Sequence, residues 1–349
     1  MNVKIKSRTY KEFRMKKRNR YLLGGGLVLL VALLLVAFVP ISYYSFAPGN
    51  AIAVEDQIHL DNQAIGRQGH IFMTDVNLMQ LTLGLDIIDS FNKNIDIYPA
   101  SAIFGSSNPG QIVTQQVGQM IDAKTAAVIA AYSYAGRKYT ILPGVEVIST
   151  LPQTSPSVLP GDLIVAVNGE SATTLAVVAK DIEKAGSLLT LTVYRSSSMV
   201  GSPVKKTITL HKFLDQGRQV IGVTLAPSET VELQKPFAIE TGQIGGPSAG
   251  LAFTLGILQQ LGAIQVASGK KVAVTGTISP DGTVGDVGGV KQKAVAVYSA
   301  GVRLFIVPDV EVAAANSAGI KGLKVVGVKT LVQAIDALMK YKVLLRTHG

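Results

Sequence analysis

The residues best placed for chemistry are a serine and a lysine, each behind its own glycine turn. Gly245-Gly246-Pro247-Ser248-Ala249-Gly250-Leu251-Ala252-Phe253 runs from a flexible turn straight into an apolar helix. Pro247 suits the first position of a helix, because its fixed φ matches and its missing N–H would be unpaired there anyway. A serine in this position often serves only as a helix cap. Here small residues flank it on both sides, which leaves the hydroxyl accessible and lets a substrate backbone come close. The amides of Gly246, Ser248 or Ala249, together with the positive end of the helix, can stabilise an oxyanion; Pro247 has no donor to offer.

A nucleophilic serine needs a base. His59 and His70 fall in an irregular segment, His211 at the end of a strand, and His348 one residue from the C-terminus, so a Ser-His-Asp triad is disfavoured. A lysine can do the work if burial keeps its amine neutral. The segment Gly282-Thr283-Val284-Gly285-Asp286-Val287-Gly288-Gly289-Val290-Lys291-Gln292-Lys293-Ala294-Val295-Ala296-Val297 puts two lysines in the first turn of an apolar helix. Cations there oppose the helix dipole, so they call for a reason other than helix stability. Lys291 and Lys293 are two apart and face different ways, one toward solvent and one inward.

The two patterns, GPSAG and TGTISPDGTVGDVGGVKQKAVAVYSAG, resemble the proteolytic domain of the Lon family over roughly residues 220–345. The resemblance implies Ser248 as nucleophile, Lys293 rather than Lys291 as base, and Thr275 as a hydrogen-bond partner of that lysine. Two separated motifs in the right order are a far stronger signal than either alone. One departure is that Gly245 stands where ATP-dependent members carry an acidic residue. The sequence also has no G-x-x-x-x-G-K-[ST] loop for nucleotide phosphates. Upstream, the turn Leu159-Pro160-Gly161-Asp162 feeding LIVAVNG resembles a PDZ domain of the kind found in secreted bacterial proteases. That likeness implies peptide binding at the loop Leu142-Pro143-Gly144-Val145, although Pro143 has no N–H to give a carboxylate.

Around these motifs the chain, 349 residues, 48% hydrophobic and 16% charged, is far too apolar to be disordered. Its formal charge of +10 suggests an acidic partner, but nine of the 33 Lys/Arg and only one of the 23 Asp/Glu lie in residues 1–20. What remains is nearly neutral, and nucleic-acid binding is discounted. With no cysteine, disulfides, thiol nucleophiles and cysteine-ligated metals are excluded. No metal or cofactor is expected.

Residues 22–39 are an uncharged apolar run, long enough at about 1.5 Å per residue to cross a hydrocarbon core of about 30 Å. With the basic tail cytoplasmic by the positive-inside rule, everything after the span lies outside the cell. The expected fold class is α+β: an N-terminal transmembrane helix, a small β-rich PDZ-like domain, and a C-terminal α+β Lon-type proteolytic domain. The expected bounds are 1–20 for the basic tail, 21–46 for the anchor, 47–137 for a β-rich and helical connecting region, 138–215 for the PDZ-like domain and 216–345 for the proteolytic domain. The whole resembles the ATP-independent, cell-surface Lon-like peptidases of Gram-positive bacteria. It implies a membrane-bound serine endopeptidase acting on flexible peptides or small membrane or secreted proteins, with self-association into a homo-oligomer implied by the resemblance alone. A non-catalytic PDZ adaptor is the alternative.

Overall fold

The computed structural model describes residues 26–27, 30–31, 34, 36–60, 69–105, 109–196, 199–241 and 244–344. The expected basic tail, 1–20, and half of the expected apolar run 22–39 lie outside the described residues. Among the described residues no helix is long and apolar enough to cross a membrane.

The chain order is β1 (Pro40–Ala53), β2 (His70–Thr82), α1 (Leu83–Asp89), β3 (Asp96–Pro99), α2 (Ala100–Phe104) and α3 (Pro109–Tyr134). Next come β4 (Thr140–Thr150), β5 (Leu163–Val167), α4 (Leu175–Lys184), β6 (Leu188–Arg195), β7 (Val204–His211) and β8 (Val223–Glu232). The last third holds α5 (Gly250–Gln260), β9 (Lys271–Val274), α6 (Val290–Ser299), β10 (Leu304–Pro308), α7 (Val312–Asn316), β11 (Lys324–Val328) and α8 (Leu331–Leu344). Short bridging strands lie between these elements.

Two sheets carry the architecture. The first has the order β11-β10-β9-β2-β1-β3. Its β11, β10, β9 and β2 run parallel, and β1 pairs antiparallel with both β2 and β3. Strand alternation sends side chains to opposite faces, so each parallel strand feeds two cores. Val272, Val274, Leu304 and Ile306 pack toward α3, α5 and α8, and Ala273, Phe305 and Val307 toward α6 and α7. Every residue of α5 is buried, as expected of a helix that is apolar all round. Gly256 on α5 lies against Val54, where an added Cβ would come to 2.5 Å from that side chain, so only a glycine lets the helix approach so closely.

The second sheet is antiparallel, in the order β7-β6-β5-β4-β8. Its core of Val145, Val147, Ile164, Leu191 and Val193 is closed by Val178 and Ile182 of α4. Asp162, wholly buried, is held by a two-pronged ion pair: Arg195 Nε donates to Oδ1 and Nη2 to Oδ2, both at 2.6 Å. The paired fork satisfies a charge that would be costly to bury alone.

Several sequence expectations change. Residues 40–46, expected to close the membrane span, are strand: Tyr44 pairs with Gln80 and Phe46 with Leu78, while Tyr43 pairs with Pro99 on the other side. The stretch PISYYSF is apolar like the run before it, but it is rich in aromatic and β-branched residues that favour a pleated surface. Residues 47–137 do not merely connect; they supply three strands of the first sheet and the helix packed on α5. Residues 223–232, expected within the proteolytic unit 216–345, instead form β8 of the second sheet, which pairs with β4 along its whole length.

Where the second sheet meets α3, Asp122 of the helix hydrogen-bonds to Glu146 of β4. Burial first, and then the Asp122 charge, push Glu146 up to about 7, and burial likewise raises Asp122. A carboxyl with a raised folded-state value stabilises the fold at low pH and loses that contribution as pH rises through about 7. Glu146→Gln is therefore expected to flatten a decline in stability between about pH 5 and 8, read as denaturant midpoints of the two proteins across that range. An unchanged decline would mean that the pair does not govern this junction.

Candidate active site

Ser248 sits in a single tight turn, Pro247–Ala249, that leads into α5. Its approach is fixed by Gly246, whose φ of 85° is accessible to glycine and strained for any other residue. The Gly246 N–H donates to the carbonyl of Gln116 on α3 at 3.0 Å. That amide, expected as an oxyanion donor, is thus already engaged, and at the head of the 3-10 turn Ser248 is the first residue after it with an N–H. Ser248's own carbonyl accepts from the Gly276 N–H at 2.9 Å and from Thr275 Oγ1 at 3.2 Å, which ties the turn to the end of β9.

The lysine comes from the opposite side of the sheet. Helix α6 starts after Gly289, a left-handed residue with φ 67° whose added Cβ would lie 2.6 Å from Val76. The two lysines part company as their spacing requires. Lys291 reaches out to Asp96 at 2.7 Å, and Gln292 donates to the other oxygen of the same carboxylate at 2.8 Å. Asp96 thereby offsets the misplaced charge at the helix start. Lys293 turns inward, 2% exposed, and its Nζ bonds to Thr275 Oγ1 at 3.2 Å. Burial lowers Lys293 to about 8, against the opposing pull of the Asp75 and Glu311 charges.

Ser248 and Lys293 line one cavity of about 560 Å³. Its other walls are Met73 to Leu78 of β2, Phe46 and Ile52 of β1, and Gln116 and Met120 of α3. Ser248, Ala249 and Lys293 line this cavity, and Thr275 is joined to it through its bonds to Lys293 Nζ and the Ser248 carbonyl. Leu142, Pro143, Gly144 and Val145 are elsewhere and are no loop: they lie within β4, opposite Thr230, Glu229, Ser228 and Pro227 of β8. Their backbone edge toward β8 is filled by that pairing, so it is closed to a peptide carboxylate.

Sequence reasoning missed Asp75 and Gln116. Asp75 is, with Lys293, one of two charged side chains lining the cavity among the described residues. The Asn50 N–H donates to its Oδ1 where β1 slips register between Pro48 and Ala51. The readable signal was Pro48-Gly49-Asn50, a break inside an otherwise strand-like run. Among the described residues no group of acidic, histidine or cysteine side chains could hold a metal ion.

A lysine whose folded-state value is lowered costs stability while it is charged, and the cost fades as pH rises from about 8 toward the unfolded value. Lys293→Met keeps much of the shape and removes the charge. It should stabilise the protein at pH 7 by up to about 3 kcal/mol, from a shift of roughly 2.5 pH units. Thermal unfolding at pH 7 and pH 10 checks this: the gain should shrink at the higher pH, and a loss at pH 7 would show that the amine is held by more than burial.

Comparison with known proteins places this same stretch. Residues 241–340 match the model of the Lon protease (S16) C-terminal proteolytic domain. The Lon protease of Ureaplasma parvum serovar 3 is 32% identical over 136 residues, covering 35% of this chain and 17% of that protein. Lon protease 2 of Bacillus subtilis is 35% identical over 96 residues, covering 28% of this chain and 17% of its own length. The Lon protease of Mycoplasma mobile is 30% identical over 135 residues, 36% of this chain and 16% of the relative. The chain therefore spans less than a fifth of the length of these curated relatives.

Proposed function

From a chain that carries a Lon-type, serine-peptidase proteolytic domain, we propose a membrane-anchored endopeptidase that works without ATP and cuts with the pair Ser248 and Lys293. The observation that carries this reading is the burial of Lys293 against the cavity that also exposes Ser248. With a value near 8, a usable fraction of the amine is neutral at physiological pH. In that form Nζ takes the proton of Ser248 Oγ as the oxygen attacks a peptide carbonyl. The same nitrogen returns the proton to the departing amine, and water then releases the acyl group by the reverse path. Thr275 Oγ1, bonded to both Nζ and the Ser248 carbonyl, holds the two catalytic residues in register. The amide of Ser248, at the head of the turn, receives the developing oxyanion.

The cavity suits an extended substrate. Strand β2 pairs with β9 only over His70 to Phe72, so beyond Phe72 the edge facing the cavity has no strand partner among the described residues. A peptide laid along it gains main-chain hydrogen bonds independent of its sequence. Flexible peptides and exposed tails outside the cell are the substrate class, since no phosphate-binding loop for an unfolding motor occurs within these residues. Anchoring is supported by the uncharged run 22–39 behind its basic tail.

A second role for residues 140–232, peptide capture in the PDZ manner, is favoured by one observation. A groove of about 870 Å³ lies between Ala179, Ile182 and Glu183 of α4 and Val223 to Leu225 of the edge strand β8. That groove, rather than Leu142 to Val145, is the seat for an added strand.

Digestion of a flexible protein such as casein by the full chain in detergent tests the enzyme reading. Cleavage should proceed without ATP and fall by at least 10³-fold, on the order expected for loss of a nucleophile or base, in Ser248→Ala and Lys293→Ala. Full activity in both variants would end the proposal. For the wild type, kcat/KM should rise with pH and level off above about 8, as Lys293 loses its proton. Asp75→Asn removes a charge that favours the ammonium form, so the same limb should move to lower pH. A limb that stays in place would assign the pH dependence to another group.

A further inference from the structure

The short helix α1 turns Leu83, Ile87 and Ile88 to the outside, and Phe91, just past its end, is 85% exposed. Large apolar side chains gathered in this way on a surface mark an interaction site. The patch continues into a neighbour. The Leu83 N–H donates to the Val39 carbonyl at 3.1 Å, and a Cβ on Gly84 would touch the Ala37 carbonyl at 3.0 Å. Val36, Phe38 and Val39 are themselves exposed, as are Leu27, Leu30 and Leu34 before them. An apolar surface therefore runs from the uncharged segment of the sequence onto α1. Tyr43 and Tyr98, half-exposed beside it, have the amphipathic rings that settle at a membrane–water boundary.

We propose that α1 and Phe91 lie in the headgroup layer of the bilayer entered by residues 22–39, so that the protease body is seated on the membrane. The inference rests on the anchor reading and adds the contact surface. A lipid surface fits better than a second copy of the chain, because the exposed residues are continuous with the segment that leads into the hydrocarbon. Asp86, Asp89 and Lys93 bring both signs of charge to this corner, so apolar insertion rather than attraction to anionic lipid drives the contact. Seating fixes the height of the catalytic cavity. Strand β1 climbs from Pro40 to Phe46, the first cavity residue on it, over roughly 20 Å at about 3.4 Å per residue.

The natural chain has no cysteine, so a single introduced thiol labels one site only. Phe91→Cys and Ile88→Cys, labelled with a small fluorophore in the full chain reconstituted into phosphatidylcholine vesicles, are compared with Ser268→Cys. Ser268 is exposed and sits beside Gly69, at the far end of β2, roughly 40 Å from Thr82. Lipids carrying a quencher near the headgroup should extinguish most of the signal at positions 88 and 91 and little at 268. Equal, weak quenching at all three sites would overturn the proposal. So would ready disulfide bridging of Phe91→Cys between two chains without quenching, which would assign the patch to self-association. Extraction with alkaline carbonate is read separately: release of the chain defeats the anchor reading, and quenching that survives in the released form's rebinding upholds the patch on its own.

Discussion

A dry amine sets the terms for the rest of this structure. Lys293 is buried deeply enough for its amine to be lowered to about 8, and it still lines the cavity onto which Ser248 opens. No single element can satisfy both demands. Helix α6 brings the lysine up from one face of the first sheet, the turn before α5 brings the serine from the other, and Thr275 at the end of β9 joins them. The sheet is therefore part of the site as well as its scaffold, since it is the layer through which the two residues meet. Asp75 and Glu311 act against the burial, so the final value of Lys293 is a compromise between desolvation and attraction.

That arrangement explains the chain's order. The cavity draws on β1, β2 and α3 from the first third and on the serine and lysine segments from the last. Between them the second sheet is inserted as a unit with its own core. Gln116 shows why the first third cannot be a passive linker. Its carbonyl accepts the Gly246 amide and so positions the serine turn from more than a hundred residues away.

The two glycine-flanked motifs were legible because they are local: a turn, a helix start and a residue of the right chemistry lie within a few positions of one another. The opposed directions of Lys291 and Lys293 followed from helical spacing alone, and Asp96 is the partner that spacing could not name. What stayed hidden was long-range pairing. PISYYSF reads as the tail of an apolar span because hydropathy does not distinguish a membrane helix from a strand whose partners lie far along the chain. The PDZ likeness puts Gly144 and its neighbours in a binding loop by position, whereas here Gly144 lets β4 pass close to Leu163 and Ile164. Asp75 and Gln116 carried no motif, and only the folded cavity gives them a role.

The chain leaves and re-enters the body of the first sheet at one place, for Thr140 at the start of the inserted sheet pairs with Glu232 at its end. Its ports are thus about 5 Å apart, the width of one strand pair. A unit mounted in this way is a cassette, latched to the body a second time where Val200 and Met199 pair with Phe237 and Ala238. It is also well placed as a transmitter. One port continues from α3, which grips the serine turn at Gln116, and the other leads sixteen residues on to Ser248, so the cassette is tied to the serine turn from both sides.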